Sequence, residues 1–229
     1  ENSWRNTLNH DAAWVFIKFR APGSNHWQHA CLLTDAAEHA APNAVIEVGT
    51  SMIDGTDHGM GAFVYSAAMQ TGTVQYARTR LRWDYGASGY TFAKGEEVDV
   101  AVHAIEMVYV AEGPFHVGSG GTESGSFTDG GWESGNPLPF EIAGEGALPI
   151  SDDPGSLWGT ASGVWDTIGS PGMLPEAYPK GFRAFYSMKY YLTQGQYTEF
   201  LNHLTFAQQN TRTPNSPARS ATIHRAIIA

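Results

Sequence analysis

The chain has one cysteine, Cys31, set in Gln-His-Ala-Cys-Leu-Leu, with His26 and His29 on either side of Trp27 just upstream. A thiolate beside imidazoles is the raw material of a nucleophile or a metal site. The immediate neighbours of Cys31 are apolar, however, which fits a small buried hydrophobe better than a reactive thiol. On a strand His29 and Cys31 share a face and His26 does not, so packing and surface roles are expected for the histidines. Two acidic turns, Asp54-Gly-Thr-Asp-His58 and Asp152-Asp153-Pro-Gly155, offer the hard oxygens that calcium prefers. The first lacks the alternating spacing of a calcium loop, and both read as Asx-type turns. The expectation is therefore no cofactor, with calcium the one ion these turns raise. Glu106 and Glu199 have the chemistry for acid–base work, but no spacing pairs either with a base or a nucleophile.

Seven tryptophans are many for 229 residues. Trp14 lies inside an alternating strand and reads as core. Trp132 and Trp158 fall in loop sequence and are the better candidates for stacking a sugar ring or for an interface.

The elements that would position these residues are mostly strands. Only 16% of residues are charged and 26 are glycine, which suits a turn-rich β protein. The net charge of −10 offers no basic surface for phosphates, so nucleic acid is not an expected partner. No apolar run is long enough for a membrane helix. The first residue is Glu rather than Met. Composition alone leaves the compartment open; the β-rich, low-charge chain together with the resemblance given below leads to the expectation of an extracellular or cell-surface chain whose signal peptide has been removed.

In order, strands are expected over 13–20, 27–33, 44–48, 60–66, 73–83 and 97–107, separated by turn clusters. Six short strands suggest a β-sandwich over residues 1–104. The last strand passes directly into residues 105–229 without a flexible linker, so the two halves are expected to pack together. Residues 118–172 are rich in Gly, Ser and Pro, with isolated large apolar residues that would pin a long loop to a core. From Pro179 the pattern alternates as a strand and changes at Thr193. Thr193 with Gln196 is a capping box, and Leu192 before the cap can staple onto Tyr197. Tyr197, Phe200, Leu201 and Leu204 then mark one apolar helical face. The closing residues 221–229 carry Ile223, Ile227 and Ile228, an apolar tail expected to dock as an edge strand within the chain or on a neighbour.

Two segments carry a resemblance. Tyr186-Ser-Met-Lys-Tyr-Tyr-Leu-Thr-Gln-Gly-Gln-Tyr-Thr-Glu-Phe-Leu-Asn202 resembles the strand-then-helix signature, V-T-x-x-x-Y-x-x-F-L-N, of formylglycine-generating-enzyme-like (sulfatase-modifying-factor) domains. Ile105-Glu-Met-Val-Tyr-Val-Ala-Glu-Gly-Pro-Phe-His-Val-Gly-Ser119 is similar to the strand pair that opens those domains. The resemblance implies a C-type-lectin-like α/β core, of which residues 105–229 would be the first half. Those enzymes oxidise a substrate cysteine with a copper ion held by paired cysteines. Cys31 lies outside the resemblance, so no copper ligand carries over. Related sulfoxide synthases use iron and three histidines; His116, His203 and His224 stand in the matching half without metal-ligand spacing.

The fold class expected is thus mainly β with some α, an N-terminal β-sandwich joined to a partial C-type-lectin-like domain. The function expected is a non-catalytic structural or binding module, self-associating into a homo-oligomer or filament at the cell surface. Trp132, Trp158, Ile223, Ile227 and Ile228 are its candidate interface or carbohydrate contacts. The alternative is the scaffold of a formylglycine-generating-enzyme-like oxidoreductase whose catalytic half follows residue 229.

Overall fold

The computed structural model describes residues 2–119, 126–131, 138–159 and 171–212. The chain divides into two compact units, one made of Glu1–Tyr109 with Tyr186–Ala229 and the other of Val110–Phe185. The class is mainly β, as the composition implies.

In the first unit β1 (Asn2–Arg5), β2 (His10–Arg20), β3 (Gln28–His29), β4 (Ala44–Ile53), β5 (Thr56–Ser66), β6 (Gln70–Thr73), β7 (Asp99–Val110) and β14 (Phe185–Met188) join in one eight-stranded sheet. Hydrogen bonds thus link them into a single curled sheet, where the sequence suggested a two-sheet sandwich. The ladder between β2 and β7 is antiparallel and unbroken from His10↔Tyr109 to Arg20↔Asp99. On its other edge β2 is shared among β1, β5 and β3. One strand therefore organises the unit.

Its period-two pattern sends side chains to both faces. Trp14 and Phe16 lie on one face, Trp14 against Phe63 at 4.5 Å and Phe16 stacked on His103 at 4.9 Å between ring centroids. On the other face Phe19 is fully buried beneath Trp83 and Phe92. The segment that supplies Trp83 was expected to be a strand over 73–83. It forms only β6 and two isolated bridges, at Arg80 and Trp83. Arg78 adopts a left-handed conformation, φ 62°, which ends any extended run there. Likewise 27–33 shortens to β3, after which Leu32 bridges Gly59 and Trp83 instead of extending the ladder.

The helix α1 (Gln194–Asn202) starts where the sequence places it. Gln196 N–H donates to Thr193 Oγ1 at 3.2 Å, and Thr193 N–H donates to Gln196 Oε1 at 2.9 Å, so the capping box is closed. Leu201 is buried on its inner face and Phe200 meets Phe16 edge-on at 6.1 Å. A second helix, α2 (Phe206–Arg212), follows.

The second unit holds β8 (Phe115–Val117) paired with β10 (Phe140–Ile142), and a four-stranded sheet ordered β13 (Gly172–Leu174), β11 (Leu148–Ile150), β12 (Leu157–Gly159), β9 (Phe127–Asp129). Among the described residues, the segment 118–172, read from composition as one long loop, contains four short strands and the start of a fifth. At three residues each they are too short to show a period. Of the isolated apolar residues Phe140 is buried, beside Ile142, whereas Phe127 is 38% exposed. A clamp closes the unit. Glu145 accepts the amides of Lys180, Phe182 and Arg183 at 2.8, 2.9 and 3.1 Å, while Lys180 Nζ donates to the carbonyls of Glu145, Pro175 and Tyr178. These amides, that of Lys180 foremost, hold the Glu145 carboxyl below its ordinary pKa.

In the first unit the Trp14 ring packs directly over glycine. A Cβ on Gly61 would stand 2.6 Å from the Trp14 ring and 2.7 Å from the Val15 carbonyl, and one on Gly49 would stand 2.6 Å from the same ring. Gly61→Ala is expected to cost about 1–3 kcal/mol of stability, because the backbone oxygen cannot move aside. Trp14→Ala should cost about 3–5 kcal/mol. Equilibrium urea unfolding of both variants checks this, and a Gly61→Ala chain as stable as the parent would refute the packing.

Candidate functional site

One cluster of functional groups in the first unit surrounds an edge of β7. There a groove of about 560 Å³ runs between residues 102–106 of β7, the Tyr190–Leu192 segment and α1, within the usual size range of ligand sites. Tyr191 is 98% exposed, and Tyr190 at 60% and Leu192 at 43% are largely so. Phe16 and Phe200 form the apolar wall, and Glu106 and Glu199 bring two carboxylates to the same lining. His103 stacks on Phe16, lies 4.9 Å from the His203 ring, and has no hydrogen-bond partner for its buried Nε2 among the described residues. Burial, and then the neighbouring His203, lowers its pKa, so the ring is held neutral.

A second polar group on the same sheet is a relay. Tyr186 Oη donates to Glu47 Oε2 at 3.1 Å and lies 3.1 Å from His10 Nε2, which therefore donates to it. Tyr186 stacks on Phe63 at 3.7 Å, and His10 stacks between Tyr65 and Tyr109 at 4.0 and 4.7 Å. Burial, reinforced by the charge of Glu47 and the hydrogen bond to it, pushes the Tyr186 phenol far above its ordinary range. Burial, then Arg5, lowers His10. Phenol and imidazole are both kept neutral, an arrangement that fixes geometry and holds no mobile proton at neutral pH. Beside it Lys189 Nζ donates to the buried Asp11 at 2.7 Å. Burial alone would lower the Lys189 pKa. The hydrogen bond and charge of Asp11, with Tyr190 and Glu106, outweigh it and raise the net value.

Cys31 is buried, and burial followed by the charge of Asp84 raises its thiol pKa, as expected of an inert packing residue. His29 pairs with Lys18 across β3 and β2. Asp54 forms the tight β4–β5 turn with φ 51°. Ser151 Oγ accepts the amide of Asp153, and the Asp152 carbonyl accepts that of Gly131, so these acids organise a turn. Among the described residues no three His, Cys, Asp or Glu side chains gather in a metal-binding group. His116 lies in β8 and His203 caps α1; His224 lies outside the described residues. Trp158 sits half-buried in β12, opposite Thr128. Trp132, Ile223, Ile227 and Ile228 lie outside the described residues. What the sequence did not pair is Glu106 with Glu199, or either with His103. The alternation of β7 sets His103 with Asp99 and Ala101 opposite the valines, and only the register with Phe16 and the placement of α1 turn that face inward and bring these groups together.

No family model, curated protein or solved structure matches this chain.

Two outcomes follow from the buried polar groups. Tyr186→Phe keeps the stack on Phe63 but removes the partner of the buried His10 Nε2, and should cost about 1–3 kcal/mol in chemical denaturation. His10, His29 and His103 all have folded pKa values below the ordinary 6.5, each chiefly through burial. The unfolded chain then binds protons first, so stability is full above the unfolded value and falls as pH drops below it toward the folded ones. Thermal melts between about pH 7 and pH 5 should show a falling Tm, with a shallower fall in His103→Phe. A Tm that rises on acidification in this window would contradict the assignment.

Proposed function

We propose that the chain is a non-catalytic structural and binding module of the cell surface that self-associates through the outer edge of β4. The observation that carries the reading is this edge. Among the described residues β4 pairs on one side alone, with β5. Its ten residues contain one charge, Glu47, and no lysine or proline. Met52 and Ile53 at its end are 71% and 42% exposed. Chains that remain monomeric usually guard such an edge with charge, proline or a covering loop, because its unpaired N–H and C=O groups template another strand. An unguarded edge suits strand addition between copies, in a homo-oligomer or an open filament.

The non-catalytic part of the reading is supported by Cys31. Copper chemistry of the kind the resemblance implies needs paired cysteines, whereas the single thiol is buried and of raised pKa. On this reading the capped strand-helix segment of a formylglycine-generating-enzyme-like domain serves as scaffold. The low charge and strand-rich fold suit a surface location.

Sedimentation equilibrium over a range of concentrations tests the proposal. The parent chain should show a mass above the monomer that rises with concentration. The double variant Met52→Lys, Ile53→Lys should weaken association at least tenfold while leaving the circular dichroism spectrum unchanged, because both positions are exposed. A parent chain that stays monomeric at millimolar concentration would end the reading.

A further inference from the structure

We infer that the free edge of β7 binds an extended peptide that alternates apolar and basic residues, added as a strand in the groove beside α1. This site is separate from the β4 edge and does not depend on self-association.

The backbone supplies the first argument. Lys189 N–H donates to the Glu106 carbonyl at 2.9 Å, so that carbonyl points away from β2. Backbone groups alternate sides along a strand. Val102 and Ala104 therefore turn their N–H and C=O outward as Glu106 does, and among the described residues no backbone group pairs with theirs. Tyr186 lies beside Tyr109 and Lys189 beside Glu106, so β14 runs antiparallel to β7 and covers only the Glu106–Tyr109 part of that edge. Beyond it the edge opens into the groove. An incoming strand would continue the line of β14, and about five residues at roughly 3.4 Å each would reach from Ala104 to Val100.

The lining supplies the second. Tyr191 and Phe200 offer apolar faces for alternate side chains, and Glu106 and Glu199 offer two carboxylates. No lysine or arginine lines the groove among the described residues; Lys189 beside it is held by Asp11 at 2.7 Å and lies 4.0 Å from Glu106, which leaves Glu199 as the carboxylate without a lysine beside it. His103 is neutral and its unpartnered Nε2 can accept or donate one hydrogen bond. The local charge is negative and the whole chain carries −10, so a basic ligand is both steered to the site and matched within it. A neutral saccharide would use the tyrosine faces but gain nothing from the carboxylate of Glu199 as a counter-charge. An acidic peptide would be repelled. Strand addition supplies affinity through the backbone and specificity through alternate side chains.

Fluorescence polarisation tests this on the full chain carrying Met52→Lys and Ile53→Lys, which removes the β4 edge from the measurement. The probes are a labelled hexapeptide of sequence Thr-Val-Arg-Val-Arg-Val, its counterpart with glutamate for arginine, and a version N-methylated at the central valine. Saturable binding of the arginine peptide is expected, at least tenfold weaker for the glutamate peptide and abolished by N-methylation. Glu199→Gln should weaken the arginine peptide about fivefold, and added salt should weaken it further, since partly exposed charges are screened. Tyr191→Ala, at a fully exposed position, should weaken binding without unfolding the chain. The absence of saturable binding, equal affinity for the arginine and glutamate peptides, or indifference to both substitutions would overturn the site. So would cellotetraose displacing the arginine peptide at equal concentration.

Discussion

The first unit depends on the pairing of β2 along both of its edges. Each of its eleven residues has a partner on β7, and its opposite edge is divided among three further strands. A central strand in this position decides the orientation of everything attached to it. Side chains alternate strictly along it, so a slip of one residue would exchange the Trp14–Phe16 face for the Phe19 face. The bare glycines of β4 and β5 under Trp14 make that exchange costly, because only one register places the indole over Gly49 and Gly61. Register, aromatic packing and the mouth of the β7 groove are thus consequences of one constraint.

Much of this frame was legible beforehand. The alternation of Val98 to Ala104 and of Phe182 to Tyr190 marked strands, and Thr193 with Gln196 marked a helix start to the residue. These are local signals: they concern residues within a few positions of one another. The groove is not local. Phe16, His103 and Glu199 come together only through the β2–β7 register and the return of the chain to the edge of β7, and neither leaves a trace in spacing. The second unit was illegible for a different reason. Its strands are three residues long, and glycine and serine between them mask any period, so composition reads as loop. Arg78 shows the converse error, where a run of β-forming residues is broken by a backbone angle that no propensity announces.

The polar interior pairs or neutralises most of its buried ionisable groups, and burial lowers the pKa of the buried Lys18. Lys189 and Asp11 are paired; Tyr186, His10 and His103 are neutral. A protein arranged in this way holds its side chains in fixed orientation at the expense of tolerance to acid. The carboxylates left facing solvent at the β7 groove are therefore conspicuous, since the surrounding aromatic lining could have been built without them.

The position of Cys31 has a practical consequence. The only sulfhydryl in the chain is enclosed by the fold and disfavours its anion. Air oxidation cannot readily crosslink folded copies through it, so the protein tolerates an oxidising medium without forming covalent dimers. A cysteine introduced at any exposed position would then be the one thiol that reacts with a maleimide, and a spin label or fluorophore could be attached at a single defined place.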